Sequence, residues 1–350
     1  MTCRRSPLTV DMKAIVYSSP GDSSVLSLVE REKVEPGSGE VRVRIAVSGV
    51  NPTDWKSRSK AAPTSGDVVV PNQDGAGVID AVGDDVEGLS VGDRVWVYYA
   101  QTGGATGTAQ EYTTIPASRV VRLPVDIDFA VGASLGVPAI TAHRALAMHE
   151  FGPSRLGPGA LQGRTVLVQG GAGAVGHAAI QLARWAGAEV IATVSSEHKA
   201  ALARAAGAAH TVDYTGGDVA EHVARIAPDG VDHIVEVSIA ANIDDDAAMA
   251  ADHAVVSYYA DDGGDTFTMS IRSTFAKNLR LQGVLLYTVG EEAFAAATAD
   301  ITAALADGAL PVGEDSGLPL TWFPLEQAAA AHDAVENGTV GKVLIRVADL

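Results

Sequence analysis

The chain has a single cysteine, Cys3, which excludes a disulfide framework and any zinc site built from several thiolates. It is poor in positive charge: 25 Lys and Arg stand against 43 Asp and Glu, a formal net charge of −18, and such a surface repels polyanionic nucleic acid. No apolar run approaches the ~18–20 residues that a membrane-spanning helix requires. Arg4 and Arg5 are not followed by the apolar stretch of ~7–15 residues that makes an export signal, so the expectation is a cytoplasmic protein without membrane attachment. Against these absences stand 350 residues, 47% of them hydrophobic, and 37 glycines. At ~100–200 residues per domain, that length predicts two domains, each with its own core.

The first third is rich in β-branched residues, glycine and turn pairs. Glu40-Val41-Arg42-Val43-Arg44-Ile45 alternates with period two, as does part of Gly92–Val97. With turns at Pro36-Gly37 and Val91-Gly92-Asp93, these runs predict a compact β-rich domain. Residues 1–11 read as a polar extension ahead of a first strand, Lys13–Tyr17, and residues 101–110 (QTGGATGTAQ) as a glycine-rich loop. From about residue 160 apolar strands at Thr165–Gln169, Glu189–Val194, Val231–Val237, Ala254–Tyr259 and Leu279–Tyr287 alternate with helices at Ala174–Gly187, Glu197–Ala206, Asp218–Ile226 and Asn242–Ala251. That alternation predicts an α/β domain with a doubly wound parallel sheet covered on both faces. The tail from about residue 291 opens with an Ala-rich helix and closes on a strand, Val343–Val347.

Gly171-Ala172-Gly173-Ala174-Val175-Gly176 fits G-x-G-x-x-G, with a strand before it and a helix after it, the context a dinucleotide site requires. Glycines permit a tight turn and close approach of backbone N–H groups to a pyrophosphate, and the positive end of the following helix favours the anion. A site for NAD places Asp or Glu at the end of the second strand, ~20 residues on, to hold the ribose hydroxyls. Here that end reads Thr193-Val194-Ser195-Ser196, without a carboxylate. Ser195, Ser196 and Lys199 are candidates for a 2′-phosphate, and NADPH is the expected cofactor. Glu197 fits only if it points away; Ser196 as a helix cap and Lys199 as a solvated side chain is the competing reading. Tyr214 completes the cofactor-site candidates within this domain.

These motifs, together with Gly49-Val50-Asn51-Pro52, Asp74-Gly75-Ala76-Gly77-Val78-Ile79, Leu135–Leu146 (LGVPAITAHRAL) and Gly341-Lys342-Val343, resemble the medium-chain dehydrogenase/reductase superfamily. Within it the chain is similar to the zinc-free quinone oxidoreductases related to zeta-crystallin, from about Met12 to Val347. The resemblance implies a GroES-like catalytic domain (residues 1–136), a Rossmann domain binding NADPH (137–290), and a C-terminal segment returning to the catalytic domain (291–350), with a cleft between the domains. It also implies a homodimer or homotetramer.

Zinc-dependent members of the superfamily hold their metal with Cys, a His-Glu pair and Cys; the matching positions here are Asn51, Gln73-Asp74 and Val137. Zn²⁺ prefers thiolate or imidazole, so no metal is expected. Without a Lewis acid a saturated ketone is hard to polarise, whereas a quinone or an α,β-unsaturated carbonyl spreads the incoming charge to an oxygen. The resemblance thus implies an NADPH-dependent reductase of quinones or enones. A zinc-free alcohol dehydrogenase or a pathway enoyl reductase is the enzymatic alternative, and a crystallin-like or RNA-binding protein the non-enzymatic one.

The catalytic candidates are Asn51, Lys56, Tyr98 and Thr141. Asn51 donates to the developing oxyanion, or caps the helix that Pro52 opens. Lys56 stands where near relatives have tyrosine; it either stabilises and protonates the enolate or sits solvated on a short helix beside an Asp54–Arg58 i,i+4 pair. Of Tyr98 and Tyr99, strand alternation lets only one face the cleft. The resemblance places Thr141 near the nicotinamide and Lys342 near the 2′-phosphate end of the cofactor.

Overall fold

A computed structural model describes residues 11–60, 68–101 and 106–350. Cys3, Arg4, Arg5, nearly all of the N-terminal extension and residues 102–105 of the glycine-rich loop lie outside the described residues. The chain divides by contacts into two units, one comprising the sequence up to Val137 together with Leu320–Leu350, the other Pro138–Pro319.

The first unit is β-rich. Strands β1 (Asp11–Val16) and β2 (Ser27–Glu32) form an antiparallel pair. The alternating run seen in the sequence becomes the first half of a long strand, β3 (Glu40–Val50), followed by helix α1 (Pro52–Lys60) and strands β4 (Asp74–Val82), β5 (Arg94–Val97), β6 (Tyr112–Pro116) and β7 (Val120–Arg122). Val41, Val43 and Ile45 pack with Ile79, Val95, Val97 and Ile115 into one apolar cluster, the yield of that period-two pattern. Arg42, on the opposite face, is nonetheless buried, because Asp80 and Glu35 both accept from its guanidinium.

Helix α2 (Phe129–Leu146) carries the chain from the first unit into the second. Its dihedrals break at Gly136 (φ −8°, ψ −111°), two residues before Pro138, which has no N–H to donate and crowds the preceding turn.

The second unit runs β8 (Thr165–Val168), α3 (Ala174–Trp185), β9 (Glu189–Val194), α4 (Glu197–Ala206), β10 (His210–Asp213), α5 (Val219–Ile226), β11 (Val231–Glu236), α6 (Ile239–Met249), β12 (Ala250–Tyr258), α7 (Ile271–Phe275), β13 (Arg280–Gly283) and α8 (Glu291–Ala306). Its six strands lie in the order β10-β9-β8-β11-β12-β13, all parallel. That is the doubly wound dinucleotide-binding order, with the first strand, β8, at the reversal point. The apolar runs become buried strands: Leu167, Ile191, Val212, Ile234 and Val256 share one core. Residues 291–319 belong to this unit, not to the returning segment: Asp300 of α8 is buried and accepts from His143, Arg155 and the Leu156 N–H, all in the same unit. The return begins at Leu320, with β14 (Leu320–Pro324), α9 (Ala328–Glu336) and β15 (Lys342–Arg346); β15 pairs with β3 antiparallel and so completes the first unit's sheet. Among the described residues no helix is long and apolar enough to cross a membrane.

Candidate active site

The glycine motif occupies the turn from β8 into α3. Gly176 packs so closely on the loop that a Cβ there would stand 2.4 Å from the Gly170 carbonyl oxygen. The loop is held from below: Thr193 accepts from the Gly170 N–H (3.2 Å) through its hydroxyl, and from the Gly171 N–H (3.0 Å) through its carbonyl. No side chain caps α3, whose N-cap is Gly173, so its first N–H groups face outward from a strand–turn–helix and form a ready anion site.

Beyond β9, the Lys199 ammonium donates to Ser195 Oγ at 2.8 Å, while Ser196 Oγ accepts from the Lys199 N–H and caps α4. The carboxylate of Glu197 is paired with Arg204, which removes the objection it posed to a phosphate at this point. Tyr214 follows β10, its N–H bonded to the Val194 carbonyl and its side chain about half exposed. Ser195, Ser196, Lys199 and Tyr214 are thus gathered around the end of β9, where the Asp213 carboxylate is taken up by Thr215, and the hydroxyls and ammonium fit a 2′-phosphate.

In the first unit the strand register determines what meets. Gly49 lies opposite Asp74 across β3 and β4, and Val343 lies opposite Val50 across β15 and β3. The ends of three neighbouring strands therefore bring Asn51, Asp74 and Lys342 together, all three buried. Asn51 Nδ2 donates to Asp74 Oδ2 at 2.7 Å, and Asn51 Oδ1 accepts from Lys342 Nζ at 2.6 Å, with that ammonium 4.0 Å from the Asp74 carboxylate. The Val137 N–H, exposed by the break in α2, donates to both Asp74 oxygens (3.0 and 2.9 Å). A Cβ on Gly136 would fall 1.9 Å from Asp74 Oδ1, so glycine is required for this approach. Asp54 completes the cluster, accepting from the Asn51 N–H at 2.7 Å and the Gln73 N–H at 3.1 Å.

Burial dominates the electrostatics. It pushes the Asp54 carboxyl up to about 8, helped by the charge of Asp74, and Asp74 is raised too, though Lys342 and Asn51 oppose the shift. Burial lowers Lys342, and the two carboxyls counteract it. The arrangement that balances charge is a protonated Asp54 beside an Asp74–Lys342 ion pair.

Several expectations change here. The Asn51 amide is taken up by Lys342 and Asp74, while the Asp54 carboxyl reaches back to the Asn51 N–H, in the manner of a capping box. Lys342 is not available to a phosphate, because its ammonium is inside the first unit and engaged by Asn51 and Asp74. Asp54 and Arg58 are not a solvated pair but the buried face of α1, with Arg58 held by Glu336 and the Gly21 carbonyl. Tyr98 and Tyr99 lie past the end of β5 and are both buried; the Tyr98 hydroxyl donates to the Ser118 carbonyl at 2.9 Å. Lys56 is half-buried on α1, its ammonium 5.9 Å from the centre of the Trp55 ring, and Thr141 is buried on the second-unit portion of α2. Asp54 went unassigned in the sequence, although Asn-x-x-Asp at a helix start is the spacing that marks it.

The positions that match zinc ligands offer the side-chain amides of Asn51 and Gln73, a carboxylate already hydrogen-bonded by the Asn51 amide and the Val137 N–H, and that backbone N–H. Among the described residues no group of three or more His, Cys, Asp or Glu side chains is placed to hold a metal ion. This donor set does not fit Zn²⁺.

Comparison with known proteins agrees with this architecture. The family model of the alcohol dehydrogenase GroES-like domain matches residues 37–125, and that of the zinc-binding dehydrogenases matches residues 174–303. A quinone oxidoreductase of Rattus norvegicus is 31% identical over 348 residues, covering 95% of this chain and 97% of that protein. A mycobacterial protein solved in complex with NADPH superposes with a TM-score of 0.79 at 29% identity, covering 96% of this chain and 99% of its own. An NAD-dependent alcohol dehydrogenase superposes with a TM-score of 0.81 at 27% identity, covering 96% and 100%.

Proposed function

The chain belongs to the quinone oxidoreductase branch of the medium-chain dehydrogenase/reductase superfamily, and on that footing we propose that it reduces quinones or α,β-unsaturated carbonyls with NADPH and without zinc. The observation that carries the zinc-free part is the buried Asn51–Asp74–Lys342 cluster, in which an internal ammonium is bonded into the positions that bind metal in zinc-dependent relatives.

Gly171, Ala172, Gly173, Ala174, Val175 and Gly176 would hold the pyrophosphate of the cofactor, and Ser195, Ser196 and Lys199 its 2′-phosphate, beside Tyr214. When bound, the dihydronicotinamide supplies a hydride. The chain's own task is to stabilise the charge that reaches the substrate oxygen. Asn51 has two amide hydrogens and Asp74 takes one; the other is the oxyanion donor. Lys56 adds positive charge and delivers the proton that completes the enol or quinol, and Thr141 orients the reacting groups. Because the residues at the zinc-matching positions suit Zn²⁺ poorly, conjugated acceptors are expected to be reduced in preference to saturated ketones.

The same reading extends to assembly. Strand β13 is the edge of the parallel sheet among the described residues, with Leu285 and Tyr287 exposed beyond it, and a second copy adding its own β13 would cover that edge in a homodimer. Sedimentation at micromolar concentration tests this, a monomer being the contrary result.

Oxidation of NADPH and NADH by the purified protein against quinones, enones and saturated ketones, and reduction of NADP+ and NAD+ by alcohols, with and without a chelator, test the main proposal. Chelator-insensitive turnover of conjugated acceptors with NADPH is the expected result. Turnover confined to saturated ketones with NADH, or to alcohols with NAD+, overturns it.

A further inference from the structure

We propose that Lys342 is a positioning residue for Asn51, fixing which end of its amide faces the reacting oxygen. The inference rests on the reading of Asn51 as oxyanion donor and adds how that donor is held.

A primary amide has two orientations related by a half-turn, and only one presents N–H where an oxyanion would need it. In this site the two neighbours of the amide carry opposite charge. Lys342 Nζ stands 2.6 Å from Oδ1, and the Asp74 carboxylate stands 2.7 Å from Nδ2. Turning the amide over would set NH₂ against an ammonium and C=O against a carboxylate, exchanging two charge-assisted hydrogen bonds for two repulsions. Lys342 is only 1% exposed, so it does not act as a surface cation; its reach is spent inside the unit.

The placement is built into the backbone. Lys342 opens β15, one residue before Val343 pairs with Val50, and so stands against Asn51, the residue just past the end of β3. Asp74 opens β4 and is itself immobilised by the Val137 N–H and by the absence of a side chain at Gly136. Each of the two groups that orient Asn51 is thus anchored at a strand end. The ammonium on Oδ1 also draws electron density from the amide and strengthens the remaining N–H as a donor. The N–H donor held in this way is fixed before charge develops on the oxygen and needs no rearrangement when it does.

The test is a double-mutant cycle in steady-state turnover of NADPH with a quinone and an enone. Asn51→Ala is expected to lower kcat by about 100-fold, the usual cost of an oxyanion donor. Lys342→Met, which keeps the length of the side chain, is expected to lower kcat by about 10-fold with the KM for NADPH unchanged, as loss of an orienting neighbour does. Asn51→Ala combined with Lys342→Met should be no slower than Asn51→Ala alone, because Lys342 then has nothing to orient. Lys342→Met combined with Asp74→Asn balances the buried charge and serves if the single variant does not fold; since it removes both orienting charges, it should show at least as large a loss in kcat. Effects of Lys342→Met and Asn51→Ala that multiply, or a rise in the KM for NADPH in place of a fall in kcat, would overturn the inference while leaving Asn51 in its role. Wild-type kcat in Asn51→Ala would overturn both.

Discussion

Replacing Lys199 by alanine should separate the two nicotinamide cofactors. The Lys199 ammonium already rests on Ser195 Oγ at 2.8 Å, at the end of the second parallel strand, so little reordering is needed for it to meet a phosphate there. A hydrogen bond to a charged group contributes about 1.5–3 kcal/mol, which corresponds to about 10–150-fold in an equilibrium constant. The lysine is half-buried, and screening places the expectation in the lower half of that range. The assay is kcat/KM for NADPH and NADH, measured with one quinone at fixed, saturating concentration. For Lys199→Ala the NADPH value should fall by about 10–50-fold while the NADH value stays within about twofold of wild type. Raising the ionic strength should shrink the wild-type preference for NADPH and leave the variant unmoved. An equal loss with both cofactors would refute the reasoning, since it would place Lys199 in the support of the loop and not at the phosphate.

Other perturbations follow from the buried groups. His233 is fully buried on β11, and burial, with the His149 ring at 4.9 Å adding to it, lowers its pKa from 6.5 to about 4. Between pH 6.5 and 4 the unfolded chain binds the extra proton, so stability is present above that window and is lost as pH falls through it, at about 1.4 kcal/mol per pH unit. In urea titrations the stability difference between wild type and His233→Leu should therefore shift by about 2 kcal/mol in favour of the variant from pH 6.5 to pH 5, and parallel pH profiles would refute the assignment. Asp300→Ala leaves the buried His143 ring and the Leu156 N–H without their acceptor and should cost about 1–3 kcal/mol by denaturant unfolding. Tyr98→Phe should cost about 1 kcal/mol, from the lost bond to the Ser118 carbonyl, and leave kcat unchanged; a fall in kcat would return the tyrosine to the chemistry.

How much of this was legible in the sequence depended on how local each feature is. The dinucleotide half reads directly because its parts are consecutive: a glycine turn, a strand at Glu189–Val194 that the structure reproduces to the residue, and Ser195, Ser196 and Lys199 immediately after it. Helix α4 likewise ends at Ala206, where Gly207 takes the left-handed conformation (φ 113°). The first unit's cluster does not read this way. Asn51 and Lys342 are 291 residues apart, and only the pairing register of β15 with β3 determines that they touch. Strand alternation does not govern Tyr98 and Tyr99, because β5 stops at Val97 and both side chains are buried past its end. The i,i+4 argument failed at Asp54 and Arg58 because each finds a partner off the helix, which makes the charged stripe the buried one. Charged residues are expected on the outer face of a short helix, and a pattern alone does not reveal partners supplied by Glu336 and Gln73.

The central claim is that hydride enters a conjugated acceptor at carbon while this chain stabilises charge on the distant oxygen. The most direct measurement is reduction of an enone by NADPH deuterated at C4, with the product analysed by NMR. Deuterium at the β-carbon of a saturated ketone is the result this account expects. Deuterium on the carbonyl carbon of an allylic alcohol would contradict it, because that product forms by hydride attack on the carbonyl itself and not by conjugate addition.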